Sequence, residues 1–350
     1  MFVSRTPRVG THIRSLKIEG NDMSEAYPPS VLETATLVTI LYSLPSLRSL
    51  SLVLLEIQAG FLSPAPLPPL NIEELSLIEV VFETNLPAFF RWLTAFPNVF
   101  NLTIRELSWL ESPPPQIPAS GTTVHPIIHG VQILTMAGYH WDSCFPELIR
   151  WCRLLINPFF LRDLDLILLT WEHGQEIGSS LPWLGMFITS LRIRLSASFA
   201  PNFDRVRDCV NSLCLRECPK LTTFSLHFSP AHLDEENVDT ARYSWMFLVH
   251  CIQNLPPSVR NIELVMIGLP AEFDYLGRPV NRPRQVPWPL VDDELARRRE
   301  LTEVSIVMHT ELVYSDTSME LPRSVTSYLA SKLPKVVQRR ILQFPYVEED

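Results

Sequence analysis

The sequence predicts an α/β fold: an irregular solenoid with a curved parallel sheet and a mixed helical and irregular convex side. One phrase, apolar-x-x-apolar-x-apolar, supports this prediction, because it recurs ten times in the 350-residue chain. The copies start at Ile13, Leu47, Ile72, Val99, Val131, Leu161, Ile188, Leu221, Val259 and Leu301. Helical or proline-rich segments separate them, and a phrase that returns every roughly 20–50 residues is typical of stacked repeat units.

Each copy of the phrase has the pattern of a half-buried strand. Alternate side chains of a strand share a face, so Leu50 and Leu52 point inward while Ser51 points outward. One such strand cannot bury its apolar face, whereas stacked strands form a continuous core. An open, doubly wound α/β sheet also alternates strands with helices and remains the alternative fold.

The same phase predicts individual core and surface positions. Leu164 and Leu191 fall on the inward face of two neighbouring strands. Ser225 falls on the outward face, where replacement by alanine is expected to cost little free energy of unfolding.

The repeat region is predicted to cover residues 1–323 in about ten units. Between the phrases, a capping box of Ser30 and Glu33 predicts a helix start, and helical spacing is clear over residues 203–213 and 240–253. A further helix is expected to open at Asp292 and to close at Arg299, with acids first and bases last. Residues 324–350 are expected to form a C-terminal capping helix, broken at Pro334, and an acidic tail.

Composition narrows the classes of function. The formal net charge is −9, from 29 basic and 38 acidic residues, which disfavours a nucleic-acid partner. The sequence contains no apolar run of membrane-spanning length. Its six cysteines lack the paired spacing of a zinc site and are interpreted as reduced core thiols. We therefore expect a monomer in the cytoplasm or nucleus that binds another protein.

A search for catalytic motifs finds none. The eleven glycines form no dinucleotide or phosphate-loop motif. His125 and His129 have a helical metal-ligand spacing, but Pro126 lies between them and favours a loop. Asp163 and Asp165 lack a third partner on their strand. The sequence predicts no enzyme, cofactor or metal; the alternative is an enzyme whose site is assembled from distant residues.

The outward strand positions form two ladders whose charge is concentrated on two neighbouring strands. Asp165 and Arg192 are lateral neighbours, about 4.8 Å apart along the sheet, and are expected to pair. Arg194 has no lateral charge partner, and an arginine in aliphatic surroundings is typical of an interface anchor. We therefore predict a partner-binding site of Asp165, Arg192, Arg194 and His227, in which replacing Arg194 by alanine weakens binding without loss of stability.

Three segments also carry a resemblance to a known family. Residues 5–18, 44–52 and 96–102, which include the phrase Leu-Pro-x-Leu-Arg-x-Leu-x-Leu at 44–52, resemble the repeats of fungal F-box/leucine-rich-repeat proteins of the basidiomycete type. The resemblance implies a leucine-rich-repeat-like solenoid that recognises substrates for a ubiquitin ligase. Only twelve residues precede Ile13, so we expect no F-box and no binding to the ligase adaptor. The asparagine that regular members carry after each strand is present only as Asn21, which predicts irregular curvature.

Overall fold

The computed structural model describes residues 10–21, 30–58, 69–82, 92–109, 128, 130–137, 149, 156–168, 171–195, 203–228, 238–267, 287–309, 318–319 and 323–345. The chain has an α/β fold and divides into two compact units, Met1–Leu161 and Arg162–Asp350. The predicted phrases run through both units, and each of the ten forms a strand.

The N-terminal unit is built on parallel strands with one described helix, α1 (Thr34–Tyr42). The strands are β1 (Ser15–Glu19), β2 (Ser30–Glu33), β3 (Ser49–Gln58), β4 (Glu74–Phe82), β5 (Asn101–Arg105), β6 (Ser108–Trp109) and β7 (Ile133–Ala137). The order across the sheet is β1-β3-β4-β5-β7, while β2 pairs with the end of β3 and β6 with the end of β4.

The C-terminal unit alternates strands with helices. Its strands are β8 (Asp163–Leu168), β9 (Ser190–Leu195), β10 (Thr223–Phe228), β11 (Asn261–Ile267), β12 (Glu303–His309), β13 (Ser318–Met319) and β14 (Leu342–Gln343). The helices are α2 (Trp171–Leu184), α3 (Phe203–Ser212), α4 (Val238–Asn254), α5 (Trp288–Arg297), α6 (Arg323–Lys332) and α7 (Pro334–Gln338). The strands β8 to β12 are parallel and lie in chain order, and β12 also pairs with β13 and β14.

Neighbouring repeat strands pair in the same register at every step that the structure describes. The second apolar residue of one phrase lies beside the second apolar residue of the next, as for Leu50 and Leu75 or Leu164 and Leu191. Within each unit the described strands show no reversal of order. The crevice of a doubly wound sheet forms at such a reversal, so this order disfavours the alternative fold.

A shared backbone acceptor lies before eight of the repeat strands and joins each to the next repeat strand. The carbonyl of Arg48, for example, accepts hydrogen bonds from the amides of Glu73 and Glu74 at 2.7 and 3.0 Å. The same two-donor contact is made by the carbonyls of Arg14, Glu73, Phe100, Arg162, Thr189, Thr222 and Arg260. Backbone groups at the strand start are thus satisfied without the asparagine that the chain lacks.

The strands of the N-terminal unit bend at equivalent positions. Leu54, Glu79 and Glu106 have φ values of 54°, 52° and 54°, and in the register each directly follows a paired residue: Val53, Ile78 and Arg105. A left-handed residue is uncommon outside glycine and turns the chain sharply. In β3 and β4, pairing resumes after this bend, so each strand has two paired segments.

The core positions that the phrase predicts are buried in every copy except the first. Leu164 is 1 % exposed and Leu191 is fully buried, which confirms the strand phase. Ser225 lies on the outward face, as predicted, but it is only 4 % exposed and donates a hydrogen bond of 2.7 Å to Glu263 Oε2. Cys209, Cys218 and Cys251 are buried thiols, as predicted, whereas Cys214 is only half-buried; none of these four forms a disulfide. Cys144 and Cys152 lie outside the described residues.

Helices α2 and α3 approach each other closely at a glycine. A Cβ atom built on Gly178 would lie 1.5 Å from the carbonyl oxygen of Ser212, so no larger side chain fits between the two backbones. One turn earlier in α2, a Cβ atom built on Gly174 would lie 3.0 Å from the sulfur of Cys209. The small residues of α2 therefore set the distance between these helices.

Two predicted helix starts are displaced. Ser30 does not cap a helix; it begins β2, which pairs with β3, and α1 starts at Thr34. The helix expected at Asp292 begins one turn earlier at Trp288, so its first turn contains no acid. The proposed match of acids to the helix dipole is therefore wrong. The helices over residues 203–213 and 240–253 are confirmed as α3 and α4.

Asp292 instead caps a helix far along the chain. Its carboxylate is 2 % exposed and accepts hydrogen bonds of 3.1 Å from the backbone amides of Lys335 and Val336, at the start of α7. Amides at a helix start lack partners within the helix, and an acid there satisfies them. The predicted break at Pro334 is confirmed, because it separates α6 from α7.

Arg339 and Arg298 cap the C-terminal ends of helices, where they donate hydrogen bonds to backbone carbonyls. Arg339 Nη1 donates to the carbonyls of Leu295, Ala296 and Arg298, which end helix α5. Arg298 donates to carbonyls at the end of α4, and this contact is described further below. Cations at a helix C-terminus bind its unpaired carbonyl groups.

Candidate functional site

Five side chains on one face of strands β8 to β12 form a lateral row, here called the outer row: Asp165, Arg192, Ser225, Glu263 and Ser305. The face follows from the phrase, in which a polar residue stands between two buried apolar ones. Four of the five are half-buried, and only Ser225 is fully buried. Arg192, with 39 % of its side chain exposed, is the cation of this row that solvent reaches.

The next set of residues on the same face is here called the inner row: Ile167, Arg194, His227, Val265 and Val307. All five are buried; Arg194 is 2 % and His227 is 4 % exposed. The sequence predicted Arg194 and His227 as contact residues of a partner. The structure places both beneath the surface, where direct contact would require the protein to open.

The premise for Arg194 as an anchor is also overturned, because its guanidinium has a charged partner. Nε and Nη2 of Arg194 donate to Oδ1 and Oδ2 of Asp165 at 3.1 and 2.8 Å. Arg194 lies two residues beyond the lateral neighbour of Asp165, and long side chains reach such diagonal positions. The predicted pair of Asp165 and Arg192 is looser, with 3.6 Å between Nη1 and Oδ2.

Asp165 therefore links the two rows. Its carboxylate is 13 % exposed and lies between a buried arginine, Arg194, and a half-exposed arginine, Arg192. The bidentate contact fixes the carboxylate in one orientation. The looser contact leaves the guanidinium of Arg192 free to reorient towards solvent, so Arg192 is the member of this group that is suited to bind a partner.

Two acidic residues of this face were not predicted as site residues. Glu263, a member of the outer row, accepts a hydrogen bond from the hydroxyl of Ser225 on the neighbouring strand. Asp163, at the start of β8, is half-buried; burial raises the pKa of its carboxyl, although the charge of Arg192 and a hydrogen bond from Ser190 lower it. The alignment of the ten phrases could have identified Glu263 as a site residue, since it places Glu263 beside Ser225 and Arg192 across the strands.

Within the described part of the chain, no group of three or more histidine, cysteine or acidic side chains is arranged to hold a metal ion. His125 and His129 lie outside that part, as does the acidic tail. In the same part, no helix is both long and apolar enough to cross a membrane.

Comparison with protein-family models gives no match, and no curated protein sequence matches the chain.

Proposed function

We propose that the chain is a non-catalytic protein–protein interaction module whose strands form the sheet of a leucine-rich-repeat-like solenoid. In its likeness to the substrate-recognition repeats of F-box proteins, it would hold a protein partner on the sheet face. The observation that carries this proposal is the repeated register within each unit, where every described step aligns the same phrase positions. A stack of identical steps presents one long row of side chains, which suits an extended partner surface.

The accessible face of the sheet has the chemistry of an interface rather than that of an active site. The outer row carries the charges of Asp165 on β8, Arg192 on β9 and Glu263 on β11, aligned across the strands. Opposite charges at this spacing select a partner with the complementary charges and steer its approach. We place the partner contact at Arg192 and Glu263, beside the pair of Asp165 and Arg194.

The proposed partner surface is tested by affinity capture with the whole chain and its Arg192→Ala variant. Arg192 forms only a 3.6 Å contact with Asp165 and is 39 % exposed, so the variant should stay folded. Arg207→Ala serves as the matched control, since Arg207 is exposed on α3 and is not part of the sheet.

A protein captured by the wild type and by Arg207→Ala, and lost with Arg192→Ala, would support the proposal. Its affinity for the purified chain should fall about tenfold or more with Arg192→Ala, because an anchoring arginine commonly contributes this much. Equal capture by all three chains would contradict the placement of the partner on the outer row.

A further inference from the structure

A cleft of about 410 Å³ lies on the C-terminal unit, away from the strands, where the end of α4 meets the end of α5. Its charged lining consists of Arg216, Arg297, Arg298, Arg299 and Glu300. These four arginines and one glutamate give the cleft a formal charge of +3. The whole chain has a net charge of −9, so the cleft is a positively charged region on a negatively charged protein.

Arg298 supplies a fixed positive charge at the base of the cleft. Its Nη1 donates to the carbonyls of Ile252 and Leu255 at 3.0 and 3.1 Å, and its Nη2 donates to the carbonyl of Pro256. Burial lowers the pKa of this guanidinium. Its partners are carbonyl dipoles, and the described residues provide it with no carboxylate, so its charge is not neutralised and its field extends into the cleft.

Arg216 and Arg299 present exposed guanidinium groups beside this fixed charge. Neither side chain forms a hydrogen bond or an ion pair with any described part of the chain. Arg297 differs, because it pairs with Glu294 at 2.6 Å. Two exposed arginines without acidic partners, next to a half-buried arginine that pairs only with carbonyl groups, form a site that attracts an anion with several oxygens.

The shape and apolar lining of the cleft indicate which anion fits. Leu255, Pro256 and Pro257 line the cleft with apolar atoms, and the two prolines have fixed backbones. The amide of Gln253 adds a neutral hydrogen-bonding group. Such a surface accommodates a peptide, whose backbone and aliphatic stems pack on the apolar part while its carboxylates reach the arginines.

We propose that this cleft binds an acidic peptide segment through paired contacts of its glutamate or aspartate side chains with Arg216 and Arg299. The site is separate from the outer row of the sheet, and the proposal rests on the proposed function in taking the ligand to be part of a protein. A negatively charged chain would otherwise repel such a segment, and the cleft provides the local field that overcomes this repulsion within roughly one Debye length, about 8–10 Å.

The proposal is tested by isothermal titration calorimetry of the whole chain with hexaglutamate, using hexaglutamine as the uncharged probe of equal size. Arg216→Gln/Arg299→Gln removes two charges from the cleft and leaves the helix-capping Arg298 in place. Arg14→Gln/Arg207→Gln is the matched control: both of its arginines are exposed, and neither lines the cleft.

We expect hexaglutamate to bind the wild type and the control variant alike, at least about tenfold more tightly than hexaglutamine, and to lose about tenfold or more in affinity with the cleft variant. Binding should weaken as salt is raised. Equal affinity for the two peptides, or equal losses in both double variants, would overturn the proposal. A seven-nucleotide thymidine strand that binds more tightly than hexaglutamate would assign the cleft to nucleic acid and would equally overturn it.

These outcomes are independent of the outer row. Loss of hexaglutamate binding in the cleft variant with unchanged capture of a partner supports the cleft alone. Failure of hexaglutamate to bind, with capture still dependent on Arg192, refutes the cleft and leaves the proposed function standing.

Discussion

Replacing Arg194 by alanine should destabilise the protein substantially. The side chain of Arg194 is 3 % exposed and that of Asp165 is 13 % exposed, and the pair shares two hydrogen bonds of 2.8 and 3.1 Å. Removing one member of a buried pair costs about 3–5 kcal/mol, because the other charge remains in a poorly solvated position. Arg192 still lies 3.6 Å from the carboxylate and compensates part of this charge, so we expect the lower end, about 3 kcal/mol.

Arg192→Ala is a sharp control, since it removes the same type of side chain from the same carboxylate. Arg192 is 39 % exposed, and an exposed pair contributes at most about 1 kcal/mol. Urea denaturation, followed by circular dichroism, would measure both variants against the wild type. In thermal unfolding, a loss of about 3 kcal/mol corresponds to a lower midpoint by about 6–12 °C for a unit of this size.

A double variant, Asp165→Leu/Arg194→Met, separates the buried charge from the packing of the long side chain. Replacing both members by apolar residues should cost less than Arg194→Ala alone, because no isolated charge is left behind. The reasoning would be refuted by equal midpoints for Arg192→Ala and Arg194→Ala, or by a double variant that is less stable than Arg194→Ala.

Two further changes are predicted from single positions. Gly178→Ala should lower the free energy of unfolding by about 3 kcal/mol, since a Cβ atom there would lie 1.5 Å from the Ser212 oxygen and would force α2 and α3 apart; Ser179→Ala, on the exposed side of α2, should change it by less than about 0.5 kcal/mol in the same urea titration. Asp163→Asn should raise the urea midpoint at pH 7 but not well below the pKa of an unfolded aspartate. The raised pKa of Asp163 means that the folded state favours the protonated carboxyl, and that this contribution is lost as pH rises through the folded pKa; a midpoint lowered at pH 7 would contradict this sign.

The strands were predictable because the information that specifies them is local. A six-residue phrase with period-two spacing reveals its buried face wherever it lies in the chain, and all ten copies form strands. The first copy marks the limit of this rule: Leu16 and Ile18 are only half-buried, because β1 has a neighbour on one side alone among the described strands.

The helix caps were not predictable from local sequence. Asp292 was interpreted as the start of its own helix, but its hydrogen-bond partners are the amides of Lys335 and Val336, more than forty residues later. A short run of acidic residues has the same local pattern whether it starts its own helix or caps a distant one. Only the packing of α5 against α7 determines which helix the carboxylate serves.

The candidate site was predicted in part. The phrase placed Asp165 and Arg192 on one face correctly, because lateral register follows from the alignment of the copies. The contact of Arg194 with Asp165 was missed, since only lateral neighbours were considered and a diagonal pair lies within reach of an arginine. Burial of the inner row was missed as well, because the phrase describes one face of each strand and contains no information about what covers the other.

The repeats are joined by backbone hydrogen bonds rather than by the asparagine that regular members of the family carry after each strand. In each unit, one carbonyl before a strand accepts two amides of the next repeat, and this contact depends on no side chain. Threonines strengthen it in the C-terminal unit, where Thr222 Oγ1 donates to the carbonyl of Thr189 at 3.0 Å and Thr302 Oγ1 to that of Arg260 at 3.2 Å. Because the backbone sets each step, the connecting segments are free to differ in length and structure while the strands keep their register.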